Sequence, residues 1–324
     1  MIIMKHMLSR ESIVVEAPAS IANLGPGFDV LAMAITGLRD TVRIVIESGE
    51  GNIYVVSSDP RTPGGKGNVA YAVASKIAEK YGLHDIDIHI VVDKGIPTSA
   101  GLGGSAATSV ATAYGLSRIL KLGLSKRELL KFAGIGEAYV AGTPHYDNVA
   151  ASLFGGIVIV DPYKLEVHVI KPKKEIWLGI VVPEKRDLGY KTRRARSILP
   201  KNISLKLYVK QSASLAKLIH AFHIGDISLL GEAISSDHIV EPYRSKLIEH
   251  YWELKKLALN NGALGFNIAG AGPSVFFIHM LRQEVINLGK KLLEHLISYG
   301  IKASFHVSTV SSQGVRVVGV RRWY

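Results

Sequence analysis

A glycine-rich segment in the first half of the chain has the composition of a phosphate-binding loop. Residues 94–107 read KGIPTSAGLGGSAA and lie between a predicted strand over 86–92 and a predicted helix over 104–121. Glycine lets the backbone approach a ligand closely, and a helix N-terminus offers free N–H groups and about half a positive charge. Ser105 adds a hydroxyl at the start of that helix, where magnesium or a phosphate could bind. The segment therefore predicts a phosphate cradle, with close packing of the helix on a sheet as the alternative.

One acidic residue lies in an apolar stretch further along the chain. Glu137 falls within GIGEAYVAG, on a helix predicted over 126–140. That helix begins at Ser125 with Glu128 three positions later, the pattern of a capping box. A carboxylate among apolar neighbours is costly to bury unless a cation accompanies it. Glu137 is therefore a candidate cation ligand, although a solvated helix position is the alternative.

The elements that would position these residues mix strand and helix patterns. In the first half, strands are predicted at 12–17 and 41–47 and a helix at 68–81. A hairpin is predicted next from the runs IVIV and EVHVI, followed by a strand at 177–182. The polar segment 183–202 is predicted to form a loop with a short helix.

The second half of the chain contains more helix than strand. The predicted helices lie near 203–222, 226–234, 244–260 and 282–298, and the predicted strands at 263–268, 274–279, 301–307 and 314–320. This order has little regular βαβ repetition, so it favours an α+β fold over a doubly wound sheet. The boundary between two domains is expected at 160–175.

The composition is that of a folded protein with two domains. The chain has 324 residues, of which 48% are hydrophobic and 20% charged, so a large core is expected. Cysteine is absent, which excludes disulfides, thiolate metal sites and a cysteine nucleophile. The first residues lack the apolar core of a signal peptide, and no apolar run reaches the roughly 18 residues that cross a bilayer. A soluble, cytoplasmic protein without a membrane partner is the expectation.

The basic character of the chain is concentrated in one stretch. The formal net charge is +12, and residues 171–210 contain twelve Lys and Arg against Glu175, Glu184 and Asp187. Such a stretch could bind nucleic acid, but no Cys/His finger or RNP-like motif accompanies it. A positive field around a cleft for a triphosphate and a carboxylate explains the charge equally well. Solvated basic loops without a specific ligand are the remaining interpretation.

Four segments resemble the motifs of the GHMP kinases, the family of galactokinase and of homoserine, mevalonate and phosphomevalonate kinases. The glycine loop resembles the signature P-x-x-x-G-L-G-S-S-A-A. Residues 17–30 (APASIANLGPGFDV) and 145–156 (HYDNVAASLFGG) resemble A-N-L-G-P-G-F-D and H-x-D-N-V-A-x-x-L-F-G-G, in the form that homoserine kinases carry. Residues 268–278 (IAGAGPSVFFI) resemble the third family motif, a glycine loop that supports the nucleotide loop. Four motifs in the family's order are a specific signal.

The resemblance implies a two-domain GHMP-kinase fold of the α+β class with the active site in the inter-domain cleft. It places an N-terminal nucleotide-binding domain at 1–165 and a C-terminal, ferredoxin-like domain at 166–324. The implied activity is that of a homoserine kinase, which uses ATP and magnesium to convert L-homoserine to O-phospho-L-homoserine in threonine biosynthesis. A homodimer is also expected, because it is common among relatives.

The resemblance assigns the nucleotide and metal positions as well. ATP would bind to Pro97, Thr98, Ser99, Ala100, Gly101, Leu102, Gly103, Gly104, Ser105, Ala106 and Ala107. Ser105 and Glu137 would hold Mg²⁺. Gly104 stands where the family usually has a second serine, so the backbone cradle is kept and one side-chain contact to phosphate is lost. Lys94 could reach a phosphate, although a solvated lysine is the favoured interpretation.

The acceptor positions combine the resemblance with the chemistry of an amino alcohol. Guanidinium groups bind carboxylates well, and the resemblance places Arg196 and Arg244 in that role, with Asp29 opposite the ammonium. The other residues expected to line the acceptor pocket are Asn23, His145, Asn148 and Thr192. A basic loop position for Arg196 and a helix N-terminal position without a ligand for His145 are the alternatives.

The expected catalytic residues are Ser105, Glu137 and Asn148. Asn148 stands where mevalonate kinases have an aspartate that is considered the base. An amide cannot take the proton, so Asn148 would orient the acceptor hydroxyl and transfer would proceed in line without a protein general base. Asp147 is interpreted as structural.

Three other functions compete with this one. Another GHMP kinase, acting on mevalonate or shikimate, is the nearest, but mevalonate has no ammonium and would leave Asp29 without a partner. A relative that binds nucleotide without catalysis would be favoured by loss of Ser105 or Glu137, and both are present. A nucleic-acid-binding protein would use the basic stretch 171–210 and show steep salt dependence.

Overall fold

The computed structural model of the chain describes residues 10–184 and 191–322. Two sequence-based predictions therefore fall partly outside the described residues. These are the reading of residues 1–9 for a signal peptide and the loop predicted after 183, which is described again only from residue 191. In the part of the chain that the structure describes, no helix combines the length and the apolarity needed to span a membrane.

The strands form two sheets. The described strands are β1 (Glu11–Ala22), β2 (Leu31–Ser48), β3 (Ile53–Ser57), β4 (Ile86–Asp93), β5 (Ile157–Asp161), β6 (Glu166–Ile170), β7 (Trp177–Pro183), β8 (Gly265–Ile268), β9 (Val275–His279), β10 (Ala303–Thr309) and β11 (Arg316–Arg322). The first sheet has the order β11-β1-β2-β4-β3, with β5 paired to β2 and β6 paired to β5. The second sheet has the order β10-β7-β9-β8, and all its neighbours are antiparallel.

The helices cover both sheets. The described helices are α1 (Val69–Tyr81), α2 (Gly104–Ile119), α3 (Lys126–Ala141), α4 (Tyr146–Phe154), α5 (Lys191–Ser197), α6 (Leu205–Ile224), α7 (Ile227–Ile234), α8 (Glu241–Arg244), α9 (Tyr251–Asn260) and α10 (Arg282–Ser298). Helix α3 begins with the predicted capping box of Ser125 and Glu128, in which both reciprocal hydrogen bonds are present.

Helix α2 lies against β1 and β2 and leads into the first domain's core. Twelve of its sixteen residues are buried, most of them Ala, Ser, Thr or Gly, so the helix can approach the sheet closely. Burial on this scale fixes the axis of α2. The N-terminus of the helix, at Gly104, is therefore held in a fixed place relative to the sheet.

The second sheet follows the order of a split βαβ unit. Its strands run in space as fourth, first, third and second along the chain, and α9 and α10 pack together on one face. Strand β7 alternates accordingly: Leu178 and Ile180 belong to the core shared with α6 and α7, whereas Val181 belongs to the core under α9 and α10. The second domain thus presents α6 and α7 towards the first.

Most elements agree with the sequence-based predictions, and three differ. Strand β3 and helix α4 were not predicted. The helix predicted over 244–260 is wrong as a single element, because α8 ends at Arg244, a 3-10 turn covers Ser245–Leu247, and α9 begins only at Tyr251. His250, with a φ of 56°, separates the two pieces, and this left-handed conformation cannot continue an α-helix.

The division of the chain at residue 165 remains a prediction. Two strands beyond that residue, β6 and β11, pair with the first sheet. The hairpin predicted from IVIV and EVHVI is confirmed as β5 and β6, in which Ile157 lies opposite Ile170 and Asp161 opposite Glu166. The first sheet therefore includes chain from both sides of the predicted boundary.

Candidate active site

A cleft of about 640 Å³ lies between the glycine loop, the start of α4, helix α5 and the 270–271 turn, and it collects most of the predicted site. The predicted nucleotide residues that line it are Pro97, Thr98, Ser99, Ala100, Gly101, Leu102, Gly103, Gly104 and Ser105. The predicted metal and acceptor residues that line it are Asn23, Asp29, Glu137, His145, Asn148, Thr192 and Arg244. Ala106 and Ala107 do not line it, because their side chains are fully buried in the core behind the loop. Arg196 does not line it either, but its guanidinium binds Asp29, which does.

The glycine loop enters α2 through a residue in the left-handed region. Gly103 caps the helix with a φ of 68°, and a Cβ there would lie 2.2 Å from the hydroxyl oxygen of Ser20, so glycine is required. The third motif supports the loop from the other side, where the Ser274 N–H donates to the Ala100 carbonyl at 3.3 Å. The first turn of α2, with its free N–H groups, is thereby placed at the cleft beside Ser105.

Ser105 and Glu137 meet in the cleft. The Ser105 hydroxyl donates a hydrogen bond to the Glu137 carboxylate, and the Glu137 side chain is buried. Burial raises the pKa of this carboxyl to about 7, against the opposing effects of the Ser105 hydrogen bond and the Lys94 charge. A cation bound beside it would favour the ionised form and reverse the shift.

This pair fits magnesium better than a transition metal. Among residues 10–184 and 191–322, no group of three or more His, Cys, Asp or Glu side chains is placed to hold a metal ion, as a protein zinc site would require. Magnesium usually takes one or two carboxylates and completes its shell with waters and substrate phosphates. One buried carboxylate with an adjacent hydroxyl, at the mouth of a helix, matches that need.

An ion pair stands at the other end of the cleft. The Arg196 guanidinium binds Asp29 through two nitrogens, at 2.5 Å and 3.3 Å, and the His145 Nδ1 lies 3.9 Å from the same carboxylate. Asp29 and Asn23 both have positive φ values, 60° and 72°, and the Asp29 N–H donates to the Asn23 side chain at 3.3 Å. Strained backbone of this kind is found at functional sites.

Arg244 is the buried charge of the acceptor end. Its guanidinium donates to the Gly270 carbonyl at 2.7 Å and to the Ala195 carbonyl at 3.2 Å, and burial lowers its pKa to about 10. Its carbon Cζ lies 5.1 Å from the centre of the Phe28 ring, and that of Arg196 lies 5.4 Å from the same ring. One aromatic side chain thus spaces the two guanidinium groups.

Asn148 and Asp147 lie between the two ends. The Asn148 side-chain oxygen accepts a hydrogen bond from the Ser20 hydroxyl at 2.8 Å, so its amide nitrogen remains available to a ligand. Asp147 is buried, lines the cleft and accepts from the Asn148 N–H at 2.7 Å. Burial, helped by the negative charge of Asp29, raises the pKa of the Asp147 carboxyl to about 7.

One interpretation from the sequence is wrong, and one residue was missed. Lys94 is not solvated: its side chain is 6% exposed and its ammonium pairs with Asp40, which is fully buried. Asp40 precedes a predicted strand and carries no local signal that would separate it from a turn residue. Only the pairing of distant strands brings it to the glycine loop.

Two profiles of one family match the chain, one described as GHMP kinases N terminal domain over residues 68–156 and one as GHMP kinases C terminal over residues 217–297. The homoserine kinase of Thermoplasma volcanium is 33% identical over 93% of this chain and 95% of its own length. That of Pyrococcus horikoshii is 37% identical over 91% of this chain and 96% of its own length. The chain belongs to the GHMP kinase family, among the homoserine kinases.

Solved structures agree with that membership. The crystal structure of a homoserine kinase from Cytophaga hutchinsonii superposes with a TM-score of 0.87 at 34% identity, covering 98% of this chain and 100% of that one. A mevalonate kinase of L. major in complex with R-mevalonate superposes with a TM-score of 0.70 at 16% identity, over 96% and 100% of the two chains. The second likeness concerns the fold alone.

Proposed function

We propose that the chain transfers the γ-phosphoryl group of ATP to the side-chain hydroxyl of L-homoserine, giving O-phospho-L-homoserine. The single observation that carries the proposal is the division of one cleft between two kinds of chemistry. A helix mouth with Ser105 and Glu137 stands at one end, and the charged trio Asp29, Arg196 and Arg244 stands at the other. The homoserine kinase relatives support the same acceptor.

The nucleotide end offers groups that suit a triphosphate. The N–H groups of the first turn of α2 would bind phosphate oxygens, and Ser105 and Glu137 would hold Mg²⁺. When bound, the ion would neutralise charge on the transferring phosphoryl group. Glu137 would lose its proton to take up this role, since burial holds the pKa of its carboxyl at about 7.

The acceptor end is preformed for a zwitterion. The ammonium of homoserine would replace Arg196 at Asp29, and its carboxylate would bind the freed Arg196 together with Arg244. The ion pair between Asp29 and Arg196 would thus be replaced by two ion pairs, one between Asp29 and the substrate ammonium and one between Arg196 and the substrate carboxylate. His145, whose buried Nε2 has no hydrogen-bond partner within the described residues, would complete the pocket with Asn23 and Thr192.

The hydroxyl would be oriented by the Asn148 amide, whose nitrogen can donate to the acceptor oxygen but whose side chain cannot remove a proton. In-line transfer with late loss of the proton to phosphate or water is the mechanism that this arrangement supports. Asp147 is the carboxyl beside Asn148 that could act as a base instead, because its pKa of about 7 would allow it. The pH profile of Asp147→Asn separates these two mechanisms.

Acceptor specificity tests the proposal. ADP release is measured with homoserine, serine, threonine, mevalonate and shikimate, with Mg²⁺ and with Mg²⁺ removed by EDTA. The kcat/KM for homoserine should exceed that for mevalonate by about 10⁴, because mevalonate has no ammonium to replace Arg196 at Asp29 and so cannot free Arg196 for its carboxylate. Serine, one methylene shorter, should lose about 10- to 200-fold. Preferred turnover of mevalonate or shikimate, or full turnover in EDTA, would contradict the proposal.

A homodimer, a cytoplasmic location and the absence of a specific nucleic-acid partner remain predictions. Part of the basic stretch is accounted for at the cleft, where Arg193 lines the wall and Arg196 pairs with Asp29.

A further inference from the structure

Asp40 is the most deeply buried carboxylate near the glycine loop, and the catalytic roles above do not use it. It lies on β2 and is fully buried. The register of the sheet places Thr41 opposite Asp93 of β4, so Asp40 lies beside the next residue of that strand's chain, Lys94. A charge with this degree of burial requires partners with good geometry.

The partners of Asp40 come from both ends of the glycine loop. One carboxylate oxygen accepts the backbone N–H of Ile96 at 3.1 Å, near the start of the loop. The other accepts the Thr108 hydroxyl at 2.8 Å, in the second turn of α2 after the loop, and also binds the Lys94 ammonium. The nine consecutive residues 97–105, all of which line the cleft, lie between these attachment points.

The Lys94 ammonium is directed to the start of α2 by the same network. Its Nζ donates to the Gly104 carbonyl and to the Thr108 hydroxyl, each at 3.2 Å, and Lys94 lines the cleft. A Cβ at Gly104 would lie 3.2 Å from that Nζ, closer than ordinary van der Waals contact. Gly104, which stands in place of a serine of the family signature, thus leaves room for this ammonium.

Stability alone is a poor reason for this arrangement. A buried ion pair often contributes no more to folding than well-packed apolar residues of the same volume, because desolvation offsets the attraction. The network does restrict the loop ends, and an ordered loop binds a ligand with a smaller entropy loss.

We propose that Asp40 is a positioning residue for the nucleotide: it fixes both ends of the glycine loop and holds the Lys94 ammonium at the mouth of α2. It acts through Ile96, Thr108 and Lys94 and touches no substrate itself. The proposal rests on the proposed function for the identity of the nucleotide, but it concerns nucleotide binding and not the acceptor.

Thr108 provides the test that leaves the buried charges in place. Thr108→Val removes the hydroxyl at nearly constant volume and should raise the KM for ATP about ten-fold, because two hydrogen bonds to charged groups are lost. Thr108→Ser restores the hydroxyl and should recover most of that loss. The KM for homoserine at saturating ATP should stay within two-fold, which a general loss of structure would not allow.

Thr112→Val is the matched control. Thr112 is fully buried one turn further along α2, and its hydroxyl donates to the Thr108 carbonyl at 2.8 Å. Thr112→Val therefore removes a buried threonine hydroxyl and its hydrogen bond from the same helix without changing a partner of Asp40. Its KM for ATP should equal that of the wild type. Equal effects of Thr112→Val and Thr108→Val would overturn the proposal, since the change would then belong to the packing of α2.

Binding of the non-hydrolysable analogue AMP-PNP, measured by calorimetry without acceptor, separates this proposal from the proposed function. Asp40→Asn should weaken that binding about 100-fold in protein whose melting shows a folded state, and Thr108→Val should follow in the same direction. Unchanged AMP-PNP binding in both variants would contradict the proposed role of Asp40 and would leave the proposed function, phosphorylation of homoserine, unaffected. Failure of the wild type to phosphorylate homoserine would instead remove the acceptor assignment and leave the binding comparison valid.

Discussion

The two ends of the cleft are built in different ways. The nucleotide end comes largely from one continuous part of the chain, the loop 94–107 with Glu137 two helices later. The acceptor end combines four distant segments around Asp29, His145, Arg196 and Arg244, from both domains. The first is mainly backbone and small side chains, whereas the second is made of long charged side chains.

The nucleotide end and the acceptor end also differ in how their charges are balanced. At the nucleotide end a carboxyl is held with a pKa of about 7, so it can be neutral or charged according to what is bound. At the acceptor end the charges of Asp29 and Arg196 neutralise each other. The nucleotide end is therefore sensitive to protons and cations, and the acceptor end is sensitive to the charges of the substrate.

Glu137→Gln should give the largest effect and would sharpen this contrast. The kcat should fall about 10³-fold at saturating ATP and Mg²⁺, since a cation ligand worth several kcal/mol is lost, and the KM for homoserine should hardly change. Glu128→Gln, on the same helix but at its exposed cap, is the control in steady-state kinetics. A loss confined to the homoserine KM would contradict the assignment of Glu137 to the nucleotide end.

Asp29→Asn tests the acceptor end with a smaller effect. The kcat/KM for homoserine should fall about 100-fold, because a desolvated ammonium loses its partner, while the KM for ATP stays constant. The comparison substrate is 4-hydroxybutanoate, which lacks the ammonium and should lose little of its already low rate. Equal losses for the two acceptors would show that Asp29 does not bind the ammonium.

Asn148→Ala examines the point where the two ends meet. The kcat should fall about ten-fold, the value of one oriented hydrogen bond, and a residual rate should persist because no proton passes through the amide. Asp147→Asn is measured alongside over a range of pH. If the fall in rate at low pH disappears in Asp147→Asn alone, Asp147 is the general base. The mechanism without a protein general base would then be wrong.

The pH dependence should be the mildest of these effects. Protonation of Glu137 competes with the cation, and its pKa is raised to about 7, so at limiting Mg²⁺ the rate should fall as the pH drops below about 7. Raising Mg²⁺ should move that limb to lower pH, since the cation favours the ionised carboxylate. A limb that is indifferent to Mg²⁺ would place the titration elsewhere in the cleft.

Local patterns predicted the structural elements of the nucleotide end well. The glycine loop, the start of α2 and the capping box of α3 depend on residues within a few positions of one another, and each is present where the sequence indicates. The break in the helix at His250 was missed because the spacing of apolar residues does not reveal a left-handed residue, and the ring on which His250 stacks, Tyr299, is distant in the sequence.

Long-range pairing could not be predicted in the same way. Asp29 and Arg196 were expected as two separate substrate contacts, and their mutual ion pair arises only when α5 folds over the first motif. Asp40 and Lys94 meet through the register of β2 and β4, which lies beyond the reach of any local pattern. The resemblance to a family named both residues of the first pair, whereas in the second pair Lys94 was singled out and Asp40 was not.

The pairing of β11 with β1 has a consequence for synthesis on the ribosome. β11 pairs with β1, with Arg322 opposite Glu11 and Arg316 opposite Glu16, yet β11 is translated after the whole of the second sheet. The edge of β1 therefore stays uncovered while the second domain emerges, and an uncovered edge is a template for mispairing with other nascent chains. Removing residues 316–322 would leave that edge permanently open, even though the cleft lies elsewhere.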